Sequence, residues 1–179
     1  LLHDVGKLLE YEMKDGKKEL LSEPIKHIDI KTFNDIPLIE AFDHMAFQSR
    51  NLANACKIYH TMLADQDCSI ILCLAGSLVS AGLKNVIVDM IRHNMVDAVV
   101  STGAIVVDQD FFEGLGFQHY RGEIRVDDSK LQKIHVDRIY DTFIDEDDLR
   151  ICDMTTKKIA DALPPRPYSS REFIYEMGR

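Results

Sequence analysis

The residues from Cys68 to Gly122 constrain the fold of this chain more than any other stretch. Ile70 to Leu74 form a short, continuous apolar run, which is typical of a strand buried on both faces of a parallel sheet. Apolar residues then recur with helical spacing from Leu83 to Ile91, and a second apolar run follows from Val96 to Val100. A strand, a crossover helix and a second strand make a βαβ unit, so we predict an α/β fold with a parallel sheet and flanking helices.

Small residues join these elements at two turns. The first turn reads AGSLVSAG at residues 75–82, and the second reads STGA at residues 101–104. Ligands of open α/β sheets bind beyond the carboxyl ends of the strands, and free N–H groups at a helix start favour phosphate, so we expect a nucleotide here. The alternative is that small residues only allow a strand and a helix to pack tightly. The sequence contains neither the G-x-G-x-x-G fingerprint nor a P-loop.

Residues 74–104, LAGSLVSAGLKNVIVDMIRHNMVDAVVSTGA, resemble the NAD-binding core of the deoxyhypusine synthase family, including HNMVD at residues 93–97. The likeness extends from about Leu21 to the end of the chain. It implies an amino-terminal extension at residues 1–20, and an NAD-binding, Rossmann-like α/β domain with preceding helices at residues 21–179. Family enzymes use NAD to oxidise spermidine and pass its aminobutyl group, through an enzyme lysine, to a lysine of a translation factor. Related proteins make other polyamines.

The resemblance also implies which residues form the site. NAD is expected at the two turns, on Gly76, Ser77, Leu78, Val79, Ser80, Ser101, Thr102 and Gly103. The family's acids after the second turn hold substrate amines, and they correspond to Asp108, Gln109 and Asp110 if one residue is inserted in the turn. Without the insertion they correspond to Val107, Asp108 and Gln109. Gln109 departs from the pattern because an amide replaces an acid, which leaves room for an amine other than spermidine.

Asp108 has an alternative explanation that needs no substrate. A carboxylate at a helix start accepts hydrogen bonds from the first backbone N–H groups, so Asp108 could simply cap the helix that carries Phe111, Phe112 and Leu115. Both roles can coexist.

No lysine in this chain matches the family's catalytic motif. The resemblance therefore implies that the catalytic residue is outside this chain, on a carboxy-terminal part, and that the enzyme is a homotetramer. Its partners would be spermidine or a related amine and a hypusine-type translation factor. A second hypothesis is a non-catalytic, NAD-binding partner subunit. A third is an HD-type metal phosphohydrolase, suggested by His3-Asp4, but other acids and histidines show no metal-ligand spacing and we expect no metal site.

Composition narrows the classes of function. The net charge of −9 opposes nucleic-acid binding and suits a cationic small molecule or a basic protein. No apolar run approaches the roughly 18 residues that span a membrane, and no signal peptide is visible, so we expect a cytoplasmic protein. The four cysteines lack C-x-x-C spacing, and we expect buried free thiols rather than disulfides or zinc ligands. They are Cys56, Cys68, Cys73 and Cys152.

The remaining elements follow from periodicity and turn residues. The amino-terminal apolar residues predict a helix, and Glu123 to Lys133 is expected to be a polar surface excursion. We further predict an extended segment at Leu20–Ile30, helices with apolar faces over Ile36–Met45 and Leu52–Leu63, a strand at Ile134–Asp137, a helix at Phe143–Leu163, and a last helix at Phe173–Met177 begun by a Ser169/Glu172 capping box.

Overall fold

The computed structural model describes residues 16–179, so the predicted amino-terminal helix and His3-Asp4 lie outside the described residues. None of the helices in residues 16–179 has the length and hydropathy needed to cross a membrane. The elements in chain order are a 3₁₀ turn (Ile30–Thr32), α1 (Ile36–Asp43), α2 (Phe47–Ala64), β1 (Ile71–Leu74), the π-helical segment π1 (Val79–Leu83), α3 (Lys84–Arg92), β2 (Ala98–Ser101), the π-helical segment π2 (Ala104–Phe111), α4 (Phe112–Gly114), β3 (Tyr120–Arg121), α5 (Asp128–Lys133), β4 (Val136–Ile139), β5 (Thr142–Asp145), α6 (Glu146–Ala162) and α7 (Ser170–Met177).

One compact unit comprises residues 27–74 and 83–100. Helices α1 and α2 pack against each other, and β1 and β2 form a parallel two-stranded sheet. Asp97 fixes the pairing, because its carboxylate accepts the Ile70 N–H at 2.7 Å while its own N–H donates to the Ile70 carbonyl at 2.8 Å. The predicted α/β class, with a parallel pair of strands and flanking helices, is confirmed.

The prediction that both strands are buried on two faces is wrong for this unit. Ile71 in β1 is 61% exposed and Val100 in β2 is 58% exposed, and Ile36 of α1 is also exposed. Two strands and three helices provide too few elements to cover both faces of the sheet. The same shortage exposes Cys56 and Cys73, which we had expected to be buried; all four cysteines are free thiols, as predicted.

The described residues of the second unit are 16–26, 75–82 and 101–179. Its sheet is antiparallel with strand order β3-β5-β4, and Pro24 in the extended segment bridges to Tyr120 of β3. The core forms two clusters on opposite sides of β5, because successive strand residues face opposite ways. Phe143 belongs to the cluster of Leu131 and Val136, whereas Ile144 belongs to the cluster of Phe112 and Cys152.

Several boundaries in this unit differ from the prediction. The helix predicted from Phe143 begins at Glu146, because Thr142–Asp145 pairs on both sides as the central strand β5. The segment predicted as a polar excursion contains α5, whose Leu131 is buried. β4 begins at Val136, two residues after the predicted start of this strand. The capping box at Ser169 and Glu172 is confirmed.

Candidate functional site

The first turn leaves backbone donors unused. Gly76 has φ +80°, a conformation that glycine adopts without strain, and an added Cβ there would meet nothing within 4 Å. Within the part of the chain that the structure describes, the N–H groups of Ser77, Leu78 and Val79 have no protein acceptor. Three unpaired donors beside an open glycine are suited to an anionic group.

Hydrogen bonds within the protein fix the end of this turn. The Ser80 hydroxyl donates to the Ser77 carbonyl at 3.0 Å, and the Ala81 N–H donates to the same carbonyl at 3.0 Å. The Ser80 N–H donates to Oε1 of Gln109 at 3.2 Å, and both residues are buried. The Ser80 backbone donor, which we expected to serve the cofactor, is therefore engaged by the protein itself.

The second turn starts π2. Gly103 is the N-cap residue of π2, and the Ile105 and Val106 N–H groups donate back to the Thr102 carbonyl. The N–H groups of Gly103 and Ala104 have no acceptor within the described residues, which is usual for the first donors of a helix. An added Cβ at Gly103 also meets nothing within 4 Å. Ser101 is half-buried at the end of β2, and Thr102 is exposed.

The helix after the second turn is π-helical. The Val107 carbonyl accepts the N–H of Phe112, five residues on, and also the Cys152 thiol at 3.3 Å. Each π turn holds one residue more than an α turn, and π segments often occur at functional sites. Such a segment can absorb the one-residue insertion that made the acidic run ambiguous in the sequence.

The three predicted amine ligands have different environments. Asp108 is half-buried, Gln109 is 3% exposed, and Asp110 is exposed. Asp108 lies well inside π2, whose N-cap is Gly103, so the prediction that Asp108 caps this helix is wrong. Gln109 already uses its oxygen within the protein.

The environment of the Asp108 carboxylate favours a positively charged ligand. Burial, and then the neighbouring Asp153 carboxylate, raise the pKa of Asp108, and no lysine or arginine in residues 16–179 pairs with it. A positively charged ligand would relieve both effects. The adjacent Cys152 is fully buried, and burial and then these two carboxylates raise the pKa of its thiol to about 11, which disfavours the reactive thiolate.

Sequence reasoning missed a buried pair at the end of this helix. His119 is 1% exposed, and its Nδ1 lies 2.8 Å from Oε1 of Glu113. Its ring packs on Phe112 with centroids 5.1 Å apart. The pair fastens the end of π2 and α4 to the segment leading into β3. The spacing of Glu113 and His119 carries no motif that would have identified it.

Two of the cavities in the unit that contains both turns share Arg121. One of about 370 Å³ is lined by Ser77, Ser80, Arg121 and Asp141 among others, so the serines of the first turn open onto it. A larger cavity of about 730 Å³ shares Arg121 but contacts neither turn, and its lining mixes acids and bases. The smaller cavity is the better candidate for a ligand site because residues of the first turn line it. No group of three potential metal ligands occurs within residues 16–179.

Comparison with known proteins shows which family this sequence matches. The family described as deoxyhypusine synthase matches residues 37–179. A deoxyhypusine synthase-like protein of Elusimicrobium minutum is 56% identical over 170 residues, covering 93% of this chain and 45% of that protein. One from Chlorobaculum parvum is 59% identical, covering 91% of this chain and 47% of the relative. A probable deoxyhypusine synthase 2 of Methanosarcina mazei is 36% identical, covering 87% and 45%. The chain thus spans about half the length of the curated relatives it matches.

Proposed function

Because the chain belongs to the deoxyhypusine synthase family, we propose that it forms the NAD- and amine-binding part of an aminobutyl-transferring enzyme. The donor is spermidine or a related amine, and the acceptor is a lysine of a translation factor or another amine. The lysine nucleophile lies outside this chain, and the working enzyme is a homo-oligomer.

One contact carries the proposal. The hydrogen bond from the Ser80 N–H to Gln109 joins the first turn directly to the helix that bears Asp108. A turn with unused backbone donors and the helix that carries a half-buried carboxylate without a cation partner are thereby joined in one unit. The backbone donors of the turn would bind an anionic cofactor, and the carboxylate of Asp108 would bind a cationic substrate that reacts with that cofactor.

The residues of both turns fit NAD. The free N–H groups of Ser77, Leu78 and Val79, and those at the start of π2, would bind its pyrophosphate and ribose oxygens. Gly76 and Gly103 leave space for the backbone to approach a ligand. When bound, NAD supplies a hydride acceptor for the carbon next to an amine nitrogen.

Asp108 would orient the amine. A protonated nitrogen beside its carboxylate gains an ion pair in a partly desolvated place, where the attraction is stronger than in bulk water. This contact fixes the position of the chain of methylene groups relative to the cofactor. It also keeps Asp108 ionised against the burial and the Asp153 charge that raise its pKa.

Replacing Asp108 by Asn tests this role. The native protein, purified with any polypeptide that accompanies it, should lose about 10- to 100-fold in kcat/KM for the amine, because a hydrogen bond to a charged group is worth about 1.5–3 kcal/mol. NAD affinity should change little. Asp67→Asn, at an exposed acid on the turn before β1, is the matched control and should affect neither. Equal losses in amine turnover and NAD binding would contradict the role.

A second candidate function is an NAD-binding partner subunit that does no chemistry. The burial of Gln109 favours it, because one of the three positions expected to contact amine is occupied by a contact within the protein. Aminobutyl transfer by a preparation that contains only the product of this one gene would exclude it. Turnover that requires a second, different polypeptide would support it.

A further inference from the structure

The side chain of Gln109 bonds to the protein backbone rather than facing the solvent. It is 3% exposed, and its Oε1 accepts the backbone N–H of Ser80, a residue that is itself 1% exposed. The neighbouring acids Asp108 and Asp110 are half-buried and exposed, respectively. Among the three residues of this run, the amide is the one that faces the protein interior.

We propose that Gln109 is a positioning residue, which holds the first turn in the conformation that leaves the Ser77, Leu78 and Val79 N–H groups free for the anionic part of the cofactor. It acts through the Ser80 backbone and contacts neither cofactor nor amine. This inference rests on the proposed function, since it assumes that the first turn binds NAD.

The hydrogen bonds within the turn show how this works. Two donors, the Ser80 hydroxyl and the Ala81 N–H, converge on the Ser77 carbonyl. The Gln109 oxygen fixes the peptide that precedes Ser80, at the start of π1. The Leu78 and Val79 N–H groups lie between these two fixed points, and neither has a protein acceptor among the described residues.

The position favours an amide over the acid that the family pattern carries. A carboxylate here would have to be stripped of water next to a neutral N–H, and burying an unpaired charge costs several kcal/mol. The amide oxygen accepts the same hydrogen bond without a net charge. Gln109 therefore does not signal a different amine; it signals that this residue has a structural task, and that the amine is held by its neighbour Asp108.

Three variants separate this role from substrate contact. Gln109→Met keeps the length of the side chain and removes the acceptor, whereas Gln109→Glu keeps an acceptor. Gln66→Met is the matched control, because Gln66 is exposed on a turn and no hydrogen bond to its side chain is found among the described residues. The native protein would be tested with NAD by equilibrium dialysis, with spermidine by steady-state kinetics, and without either by hydrogen exchange of the Ser80 amide.

We expect Gln109→Met to weaken NAD binding about tenfold, because an unpaired buried donor costs about 1–3 kcal/mol and tenfold in Kd is about 1.4 kcal/mol. The KM for the amine should stay within about twofold, and exchange of the Ser80 amide should accelerate at least tenfold. Gln109→Glu keeps an acceptor, so its Ser80 amide should exchange more slowly than that of Gln109→Met, and the control should match the wild type.

Other outcomes overturn the inference. A raised KM for the amine with unchanged NAD affinity would make Gln109 a substrate ligand. Unchanged NAD affinity together with an unchanged Ser80 exchange rate would show that the contact positions nothing. If the wild type fails to bind NAD, the proposed function fails instead, and hydrogen exchange alone tests the inference. Faster exchange in Gln109→Met that is confined to residues 76–83 would then support the positioning role. An unchanged exchange rate would contradict it.

Discussion

Replacing Gly103 by Ala tests whether the second turn approaches the cofactor. Gly103 has φ −56° and ψ −37°, which any L residue adopts, and an added Cβ would meet nothing within 4 Å. The folded protein therefore has room for the methyl group. We expect the free energy of unfolding to change by less than about 1 kcal/mol, because compatible glycine-to-alanine changes and loss of a glycine N-cap have small, opposite effects.

The bound state should respond much more strongly. If NAD lies against the Gly103 backbone, the methyl group occupies space that the ligand needs, and overpacking of this kind costs about 1–3 kcal/mol. That range corresponds to a rise of about 5- to 150-fold in the Kd for NAD. Titration calorimetry would measure the Kd, and a urea titration would measure stability on the same samples.

Gly114→Ala provides the matched control, because its added Cβ also meets nothing within 4 Å but lies in α4, beyond the proposed cofactor contacts. The control should bind NAD as the wild type does. If folded Gly103→Ala protein bound NAD with unchanged affinity, the assignment of this turn to the cofactor would be refuted.

Three further changes test the fold and the amine contact. Because the folded-state pKa of Asp108 is raised, the KM for the amine should fall as pH rises through that pKa, and Asp108→Asn should flatten this part of the pH profile. A raised pKa also means that the stability contributed by protonated Asp108 at low pH is lost as pH rises. Asp108→Asn should therefore unfold at a higher urea concentration than the wild type at neutral pH. Gly82→Ala should lower the free energy of unfolding by about 1–2 kcal/mol or more in urea titrations, because φ is +94° and the new Cβ would lie 3.0 Å from the Lys26 carbonyl oxygen. Phe112→Ala should cost about 3–5 kcal/mol by the same measurement, since its fully buried ring fills the cluster beneath π2. A wild-type midpoint for Phe112→Ala, or a pH profile that survives in Asp108→Asn, would contradict these assignments.

The parts of the fold that local sequence determines were predictable. Continuous apolar runs predicted the parallel pair β1 and β2, and the recurrence from Leu83 to Ile91 predicted α3. The Ser169/Glu172 spacing predicted the start of the last helix, because a capping box is a contact between residues three apart. In each case the partners lie close in the sequence or share one element.

Features that depend on distant contacts were not predictable. Phe143 and Ile144 have the character of either a helix or a strand, and β5 becomes a strand because it pairs with β3 and β4 on its two sides. The exposure of Ile71 could not be read from its apolar neighbours, because burial depends on what covers the strand. Periodicity thus identifies an element, whereas packing decides its environment.

The candidate site also combines features set by local sequence with features set by distant contacts. The sequence predicted a site at the two turns and in the run from Asp108 to Asp110, since these lie in one continuous motif, and that assignment stays a prediction. It could not assign different environments to Asp108 and Gln109, because the Gln109 contact joins residues 29 positions apart. The His119–Glu113 pair had no sequence signal, because a buried histidine and an exposed one look alike in a sequence.

Equilibrium binding of NAD to the native protein, with and without spermidine, tests the central claim most directly. The account predicts saturable NAD binding that Gly103→Ala weakens, and reduced nicotinamide that forms only when an amine donor is present and forms more slowly in Asp108→Asn. Absence of saturable NAD binding by folded native protein, or NAD binding that is indifferent to changes in both turns, would contradict it.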